Sequence, residues 1–334
     1  MKSFTVFLWM LLLFVQCKQE NEQAIVMTVN GPIAASEMGN SLIHEHILVD
    51  FIGADSTGSH RWDREKVQQV VSPFLKEIKQ QGVRSFIDCT PAYLGRDPIL
   101  LRSLSQTSGL HILTNTGYYG AVNNKFLPKH AFTESADELA KRWITEFNEG
   151  IEDTGIKPGF IKISVGLDSL SNLHKKLVKA AALTHLQTGL TIASHTVLAV
   201  PALQQIAVLE EAGVSPEAFI WVHAQGEKDK STYLQAAKKG TWISLDGIKE
   251  KNLDNYLKML VTLKNEGYLN KVLLSHDAGW YSPGEKDGGS FKGYTTLYGK
   301  FVPLLRSNNF TDAEIEQLLV INPAVAFTIQ IRKH

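Results

Sequence analysis

From residue 40 onward, short runs of apolar and β-branched residues alternate with longer stretches whose apolar positions recur every three or four residues. The first pattern suits a strand and the second an amphipathic helix, so the chain reads as eight consecutive βα units. The predicted strands are Leu42–His46, Ser85–Cys89, His111–Thr114, Phe160–Ser164, Leu190–His195, Phe219–His223, Thr241–Leu245 and Val272–Ser275. Helices are predicted near Asp63–Gln81, Pro98–Ser108, Ser135–Asp153, Leu173–Thr188, Ala199–Ala212, Ser231–Lys239, Leu253–Glu266 and Thr311–Thr328. Several stop at a glycine, among them Gly82, Gly109, Gly189 and Gly267, the residue best suited to leave a helix.

Parallel strands need crossover helices, and closing the sheet removes both exposed edges. The expected fold is therefore an α/β (β/α)8 TIM barrel forming one domain over 25–334. A doubly wound open sheet is the competitor, but no glycine-rich phosphate loop follows the first strand. Ahead of the barrel, Ile25–Gly39, with Asn30-Gly31-Pro32 at its centre, predicts a short N-terminal β-hairpin.

The extreme N-terminus follows another pattern. Lys2 precedes an apolar run from Phe4 to Val15, too short to span a bilayer, which reads as an export signal peptide over residues 1–16. Cys17 and the polar stretch Lys18–Gln23 follow, resembling a lipoprotein signal and predicting a flexible tail over 17–24. Gln16 departs from the small residue normal before a lipidated cysteine, so two readings stay open: a lipid anchor through Cys17 on the cell envelope, or ordinary secretion to the periplasm.

Composition narrows the function. Thirty-four Lys+Arg balance thirty-four Asp+Glu, which argues against a nucleic-acid partner, and 44% hydrophobic residues exclude disorder. The only cysteines are Cys17 and Cys89, so no disulfide framework exists. The partner expected is a small molecule, and a homodimer is compatible with the sequence.

In a barrel of this kind functional groups belong at the C-terminal ends of the strands. The first predicted strand carries His44 and His46 on one face with Glu45 pointing away. The fifth ends at His195, the sixth at His223, and the eighth leads into Ser275-His276-Asp277, where alternation turns His276 aside. Four histidines and Asp277 at one rim supply nitrogen and oxygen ligands suited to zinc or another first-row divalent ion. Lys162 lies in the apolar fourth strand, where an ammonium group needs a partner, or where a neutral amine can take up carbon dioxide as a carbamate.

With these residues in place, the sequence resembles the phosphotriesterase family of the amidohydrolase superfamily. The likeness runs from Val29-Asn30-Gly31-Pro32-Ile33 through Leu42-Ile43-His44-Glu45-His46, Leu94-Gly95-Arg96-Asp97-Pro98, Gly159-Phe160-Ile161-Lys162, Ser194-His195-Thr196 and Ser275-His276-Asp277 to Asn322-Pro323-Ala324. The resemblance implies two divalent ions, zinc first among the candidates. It assigns His44, His46 and Asp277 to one ion, His195 and His223 to the other, and a carboxylated Lys162 between them. It also implies that Asp277 takes the proton of the attacking water.

The family's second proton-relay carboxylate would fall at Gly226, leaving Glu227 as a substitute or the relay absent. Tyr119 resembles a tyrosine of the family's lactonases, whereas Gly247 stands where those lactonases carry an arginine. A long eighth loop, Ala278 to about Tyr298, carries Trp280, Tyr281, Phe291 and Tyr294 and predicts a lid, with Trp280 and Tyr281 against the substrate. The expectation is a hydrolase acting on a lactone or other carboxyl ester. The alternatives are a phosphotriester hydrolase and a noncatalytic, metal-containing surface binding protein.

Overall fold

The computed structural model of the protein describes residues 24–334. The export signal, Cys17 and the polar stretch through Gln23 therefore lie outside the described residues. The hairpin forms from β1 (Ile25–Thr28) and β2 (Gly31–Ala34), with Val29 and Asn30 as its turn.

The barrel follows as β3 (Ser41–Leu48), β4 (Ser85–Asp88), a third strand split at Thr114 into β5 (His111–Leu113) and β6 (Asn115–Thr116), then β7 (Phe160–Ser164), β8 (Ile192–His195), β9 (Phe219–Val222), β10 (Trp242–Leu245) and β11 (Val272–Leu274). Successive strands pair in parallel from β3 to β5 and from β6 to β11. This is the (β/α)8 barrel that the periodicity predicts.

Closure between the last strand and the first is irregular. After β11 the backbone breaks at Ser275–Ala278 and resumes as β12 (Gly279–Tyr281), which pairs with β3 through Gly279 opposite His46 and Tyr281 opposite Leu48. Across the break Asp277 N donates to His44 O (3.0 Å) and His46 N to Ala278 O (2.9 Å). Gly279 is required there, since its φ is +96° and a β-carbon would stand 1.8 Å from His46 O.

The segment expected to form a lid is built into this seam. Tyr294 is fully buried and donates its hydroxyl to His46 O (2.8 Å), and Leu297 is fully buried as well. The loop is a packed cover on the barrel's flank, because its aromatics find apolar surface against β3 and the first helix, as Phe291 does on Phe74.

Two apolar layers hold this frame. Inside the barrel, Ile43, Ile87, Leu113, Phe160, Ile220, Trp242 and Leu273 plug the lower half, and Val26, Met38 and Phe327 close it from below. Burying each such large side chain contributes about 1.5–3 kcal/mol. The second layer lies between the strands and the outer helices.

Helix ends agree with the capping pattern: Arg64–Gln80 starts on Asp63, and Pro98–Ser108 runs from Asp97 to a left-handed Gly109. Two helices differ from the sequence reading. Ala136–Glu149 stops at Gly150 before a short turn at Ile151–Asp153, and the last helical run passes from Asp312–Glu316 through a π-turn at Gln317–Ile321 to Asn322–Phe327. No helix of the described residues is long and apolar enough to cross a membrane.

Candidate metal centre and active site

Above the apolar plug, the strands turn polar at their C-terminal ends. A register shift in β3 between Leu42 and Glu45 lets His44 face inward directly after the inward Ile43, and His46 follows two residues on; each histidine has its outer nitrogen occupied. His44 Nδ1 donates to Asp246 Oδ2 (3.2 Å) and His46 Nδ1 to Thr90 Oγ1 (2.8 Å). Their Nε2 atoms thus face Asp277 Oδ1, at 3.8 Å and 3.1 Å.

His223, just after β9, adopts a left-handed backbone with φ +64°. It donates its own N–H to Asp246 Oδ2 (3.2 Å) and its Nδ1 to Asp246 Oδ1 (2.6 Å). His195 lies with its ring centroid 4.5 Å from that of His223, and its Nδ1 lies 3.1 Å from the Tyr119 hydroxyl. Lys162 is 1% exposed, and its Nζ lies 3.5 Å from His44 Nε2. Among the described residues no carboxylate lies within ion-pair distance of it, so the reading of Lys162 as half of an ordinary ion pair finds no partner.

Two groups of three ligand atoms result, each within 4.8 Å: His44, His46 and Asp277, and His44, His223 and Asp246. All six predicted ligands converge on one rim, although His195 and Lys162 stand outside these two groups. Asp246 is the residue that the sequence reading passed over. It is fully buried and also accepts Gln225 Nε2 (3.0 Å) and Ser244 Oγ (2.6 Å). Its signal was visible, since an aspartate follows the seventh strand of a barrel whose first, fifth, sixth and eighth strands end in candidate ligands.

The electrostatics favour a cation. Burial, reinforced by Lys162, pushes His44 down to about 3. Burial and the neighbouring His223 hold His195 well below the usual imidazole range. Burial would lower His223 too, but Asp246 outweighs it and raises that ring. Burial works to raise Asp277 and Asp246, yet the histidines beside them hold both carboxyls below the usual range. The neutral imidazoles of His44 and His195 and the ionised carboxylates of Asp246 and Asp277 are the forms a metal requires. With Asp246 and Thr90 satisfying the outer nitrogens, this N,O donor set fits zinc or a similar divalent ion.

Around this floor stands an aromatic rim. The rings of Tyr119 and His195 lie 5.2 Å apart, those of Tyr119 and Phe126 5.8 Å, and those of Phe126 and Phe51 6.1 Å. Phe51 in turn meets Trp280 at 5.9 Å, and Trp280 meets His46 at 6.1 Å. Tyr119 and Trp280 are therefore on this rim, each with its ring beside one of the floor histidines.

Tyr281 is not. Next along β12, it points the other way and buries its ring against Gly288 in the outer apolar layer, so it must be removed from the expected substrate contacts.

The relay question also resolves structurally. Glu227 accepts Ala199 N (2.9 Å) and Asp229 N (2.9 Å), capping the helix Ala199–Glu211 rather than entering the site. A β-carbon on Gly226 would meet Val197 Cγ1 at 2.5 Å, so the place of the family's relay carboxylate is filled. At Gly247 a β-carbon would meet Tyr256 Oη at 2.6 Å and Gln225 Nε2 at 3.0 Å, so a side chain there would have to displace the tips of both.

Comparison with known proteins agrees with this geometry. The chain is 30% identical to the phosphotriesterase homology protein of Escherichia coli, over 86% of this chain and 98% of that protein. It is 27% identical to an aryldialkylphosphatase of Saccharolobus solfataricus, over 89% and 97%. It is also 25% identical to the N-acetyltaurine hydrolase of Rattus norvegicus, over 89% and 96%. Among solved structures, the organophosphorus hydrolase from Deinococcus radiodurans superposes with a TM-score of 0.82 at 26% identity, covering 91% of this chain and 97% of that one. The sequence profile of the phosphotriesterase family matches residues 24–327, and the chain belongs to that family of hydrolases.

Proposed function

We propose that this protein is a binuclear metal-dependent hydrolase whose substrate is a lactone or another carboxyl ester. His44, His46 and Asp277 would hold one ion and His195 and His223 the other. Lys162 would supply further oxygen ligands as a carbamate, formed when its amine adds to carbon dioxide with a new N–C bond and loss of a proton. Two divalent ions, zinc first among them, supply a lowered pKa for water and draw electron density from the substrate's reacting oxygen.

The remaining work falls to the side chains. Asp246 orients His44 and His223 by accepting both Nδ1 protons, and Thr90 does the same for His46. Asp277, on the substrate side of the floor, accepts the proton of the attacking water at its carboxylate. Trp280, with Phe51 and Phe126, offers an apolar wall that excludes water.

The observation that carries the ester reading is the Tyr119 hydroxyl, 3.1 Å from His195 Nδ1. Burial raises this phenol far above neutrality, so it stays protonated and can donate a hydrogen bond to a ring or ester oxygen. The names of the Saccharolobus and Deinococcus relatives favour a second reading, phosphotriester hydrolysis.

Comparing kcat/KM for lactones, open-chain carboxyl esters, phosphotriesters and N-acetyl amides at fixed metal occupancy separates these classes. A tenfold preference for a carboxyl ester, about 1.4 kcal/mol, is the expected result. A tenfold preference for phosphotriesters or amides overturns the assignment, and turnover of none with tight retention of a ligand points to a binding protein. We further propose export to the cell envelope, with fractionation and metabolic fatty-acid labelling of Cys17 deciding between an anchored and a free protein.

A further inference from the structure

Glu45 lies between His44 and His46, and alternation turns it out of the site. It is nevertheless fully buried, facing the seam where β3 meets the interrupted last strand. There its carboxylate accepts four hydrogen bonds. Oε1 takes Ser275 Oγ (2.7 Å), His276 N (3.0 Å) and His276 Nδ1 (2.7 Å), and Oε2 takes Ala278 N (2.9 Å). His276 Nε2 accepts Leu297 N (2.8 Å), which places that ring's proton on Nδ1, facing Glu45.

All four donors belong to Ser275–Ala278, and two are the backbone N–H groups on either side of Asp277. Asp277 itself has φ +54°, a conformation that a residue with a β-carbon keeps only where its surroundings over-determine it. Across this break the backbone of β3 bonds Asp277 N and Ala278 O, and the N–H groups of His276 and Ala278 are left to Glu45.

We propose that Glu45 is a positioning residue that clamps the Ser275–Ala278 turn and so aims the Asp277 carboxylate at His44 and His46 before any ion binds. The inference rests on the metal-dependent reading above. Only an acceptor on both arms serves all four donors: an amide would set an N–H against one of them, and an aspartate falls a methylene short.

The test is zinc affinity, measured by chelator competition on the wild type, on Glu45→Gln, and on Leu260→Ala. The last deletes a fully buried core side chain of the helix Leu253–Asn265 and serves as a fold control. The wild type should bind two ions. Glu45→Gln should lose about tenfold or more in affinity for one of them and keep the other. Leu260→Ala should lose thermal stability with both affinities intact.

Wild-type affinity for both ions in Glu45→Gln, or equal loss of the same ion in Leu260→Ala, overturns the clamp while leaving the metal reading standing. A wild type that takes up no zinc overturns both. If Glu45→Gln does not fold, amide exchange on the metal-free wild type decides. Protected His276 and Ala278 amides support the clamp, and fast exchange that slows only on adding zinc overturns it.

Discussion

The floor and the rim of this site are built in opposite ways. On the floor, two of the expected ligands, His223 and Asp277, occupy left-handed backbone conformations, and each is fixed by a buried carboxylate from a neighbouring strand, Asp246 or Glu45. The rim is held by ring edges. Phe51 is 46% exposed, and the Trp280 indole N–H has no hydrogen-bond partner. Directional bonds hold the floor to one geometry, whereas apolar edges on loops accept many. We propose that reaction class is written in the floor and substrate choice in the rim; two relatives that share about a quarter of their residues with this chain bear names for different substrates.

The sharpest way to break this division is Lys162→Arg. A guanidinium cannot form a carbamate and puts a fixed charge among the ligands, so activity should fall to the background rate while circular dichroism and the melting transition show a folded barrel. Asp246→Asn comes next. It removes the acceptor shared by His44 and His223, and metal affinity measured by chelator competition should drop about 10–100-fold. Loss confined to KM, with metal content intact, would move Asp246 out of the floor.

The metal-free protein should also lose stability on acidification. The pKa of His44 is lowered to about 3 from 6.5, so the unfolded chain takes up the proton first. The contribution of this ring is complete above pH 6.5 and lost as the pH falls toward 3. Urea unfolding at pH 7 and pH 5 measures it, and His44→Asn should flatten the slope.

Rim substitutions should do least. Tyr119→Phe removes one hydroxyl and should slow lactone hydrolysis selectively by about 2- to 10-fold. Trp280→Ala should raise KM more than it lowers kcat, as expected when a wall that binds substrate and transition state alike is cut away. Equal losses on every ester class would assign Tyr119 to the floor.

The same division decides what could be read from the sequence. Strand periodicity and the rule that function sits at C-terminal strand ends sufficed to bring His44, His46, His195, His223 and Asp277 to one rim, and the family resemblance added Lys162 from within the fourth strand. Asp246 was legible in principle but offered no pattern beyond a single aspartate. Glu45 was read only as pointing away, because its role depends on a break in the last strand that no local period encodes. Tyr281 was misplaced for a related reason. An aromatic run such as Trp280-Tyr281 gives no hint that β12 will pair with β3, and that pairing sends the two rings to opposite faces.

On the proposed function, the convergent floor exists to hold two divalent ions. Metal analysis of the mature protein, purified without chelators from metal-replete cells, tests it most directly. Two ions per chain are expected for the wild type and a deficit of at least one in Lys162→Arg. A wild-type content near zero, with ester hydrolysis retained after exhaustive chelation, would contradict it.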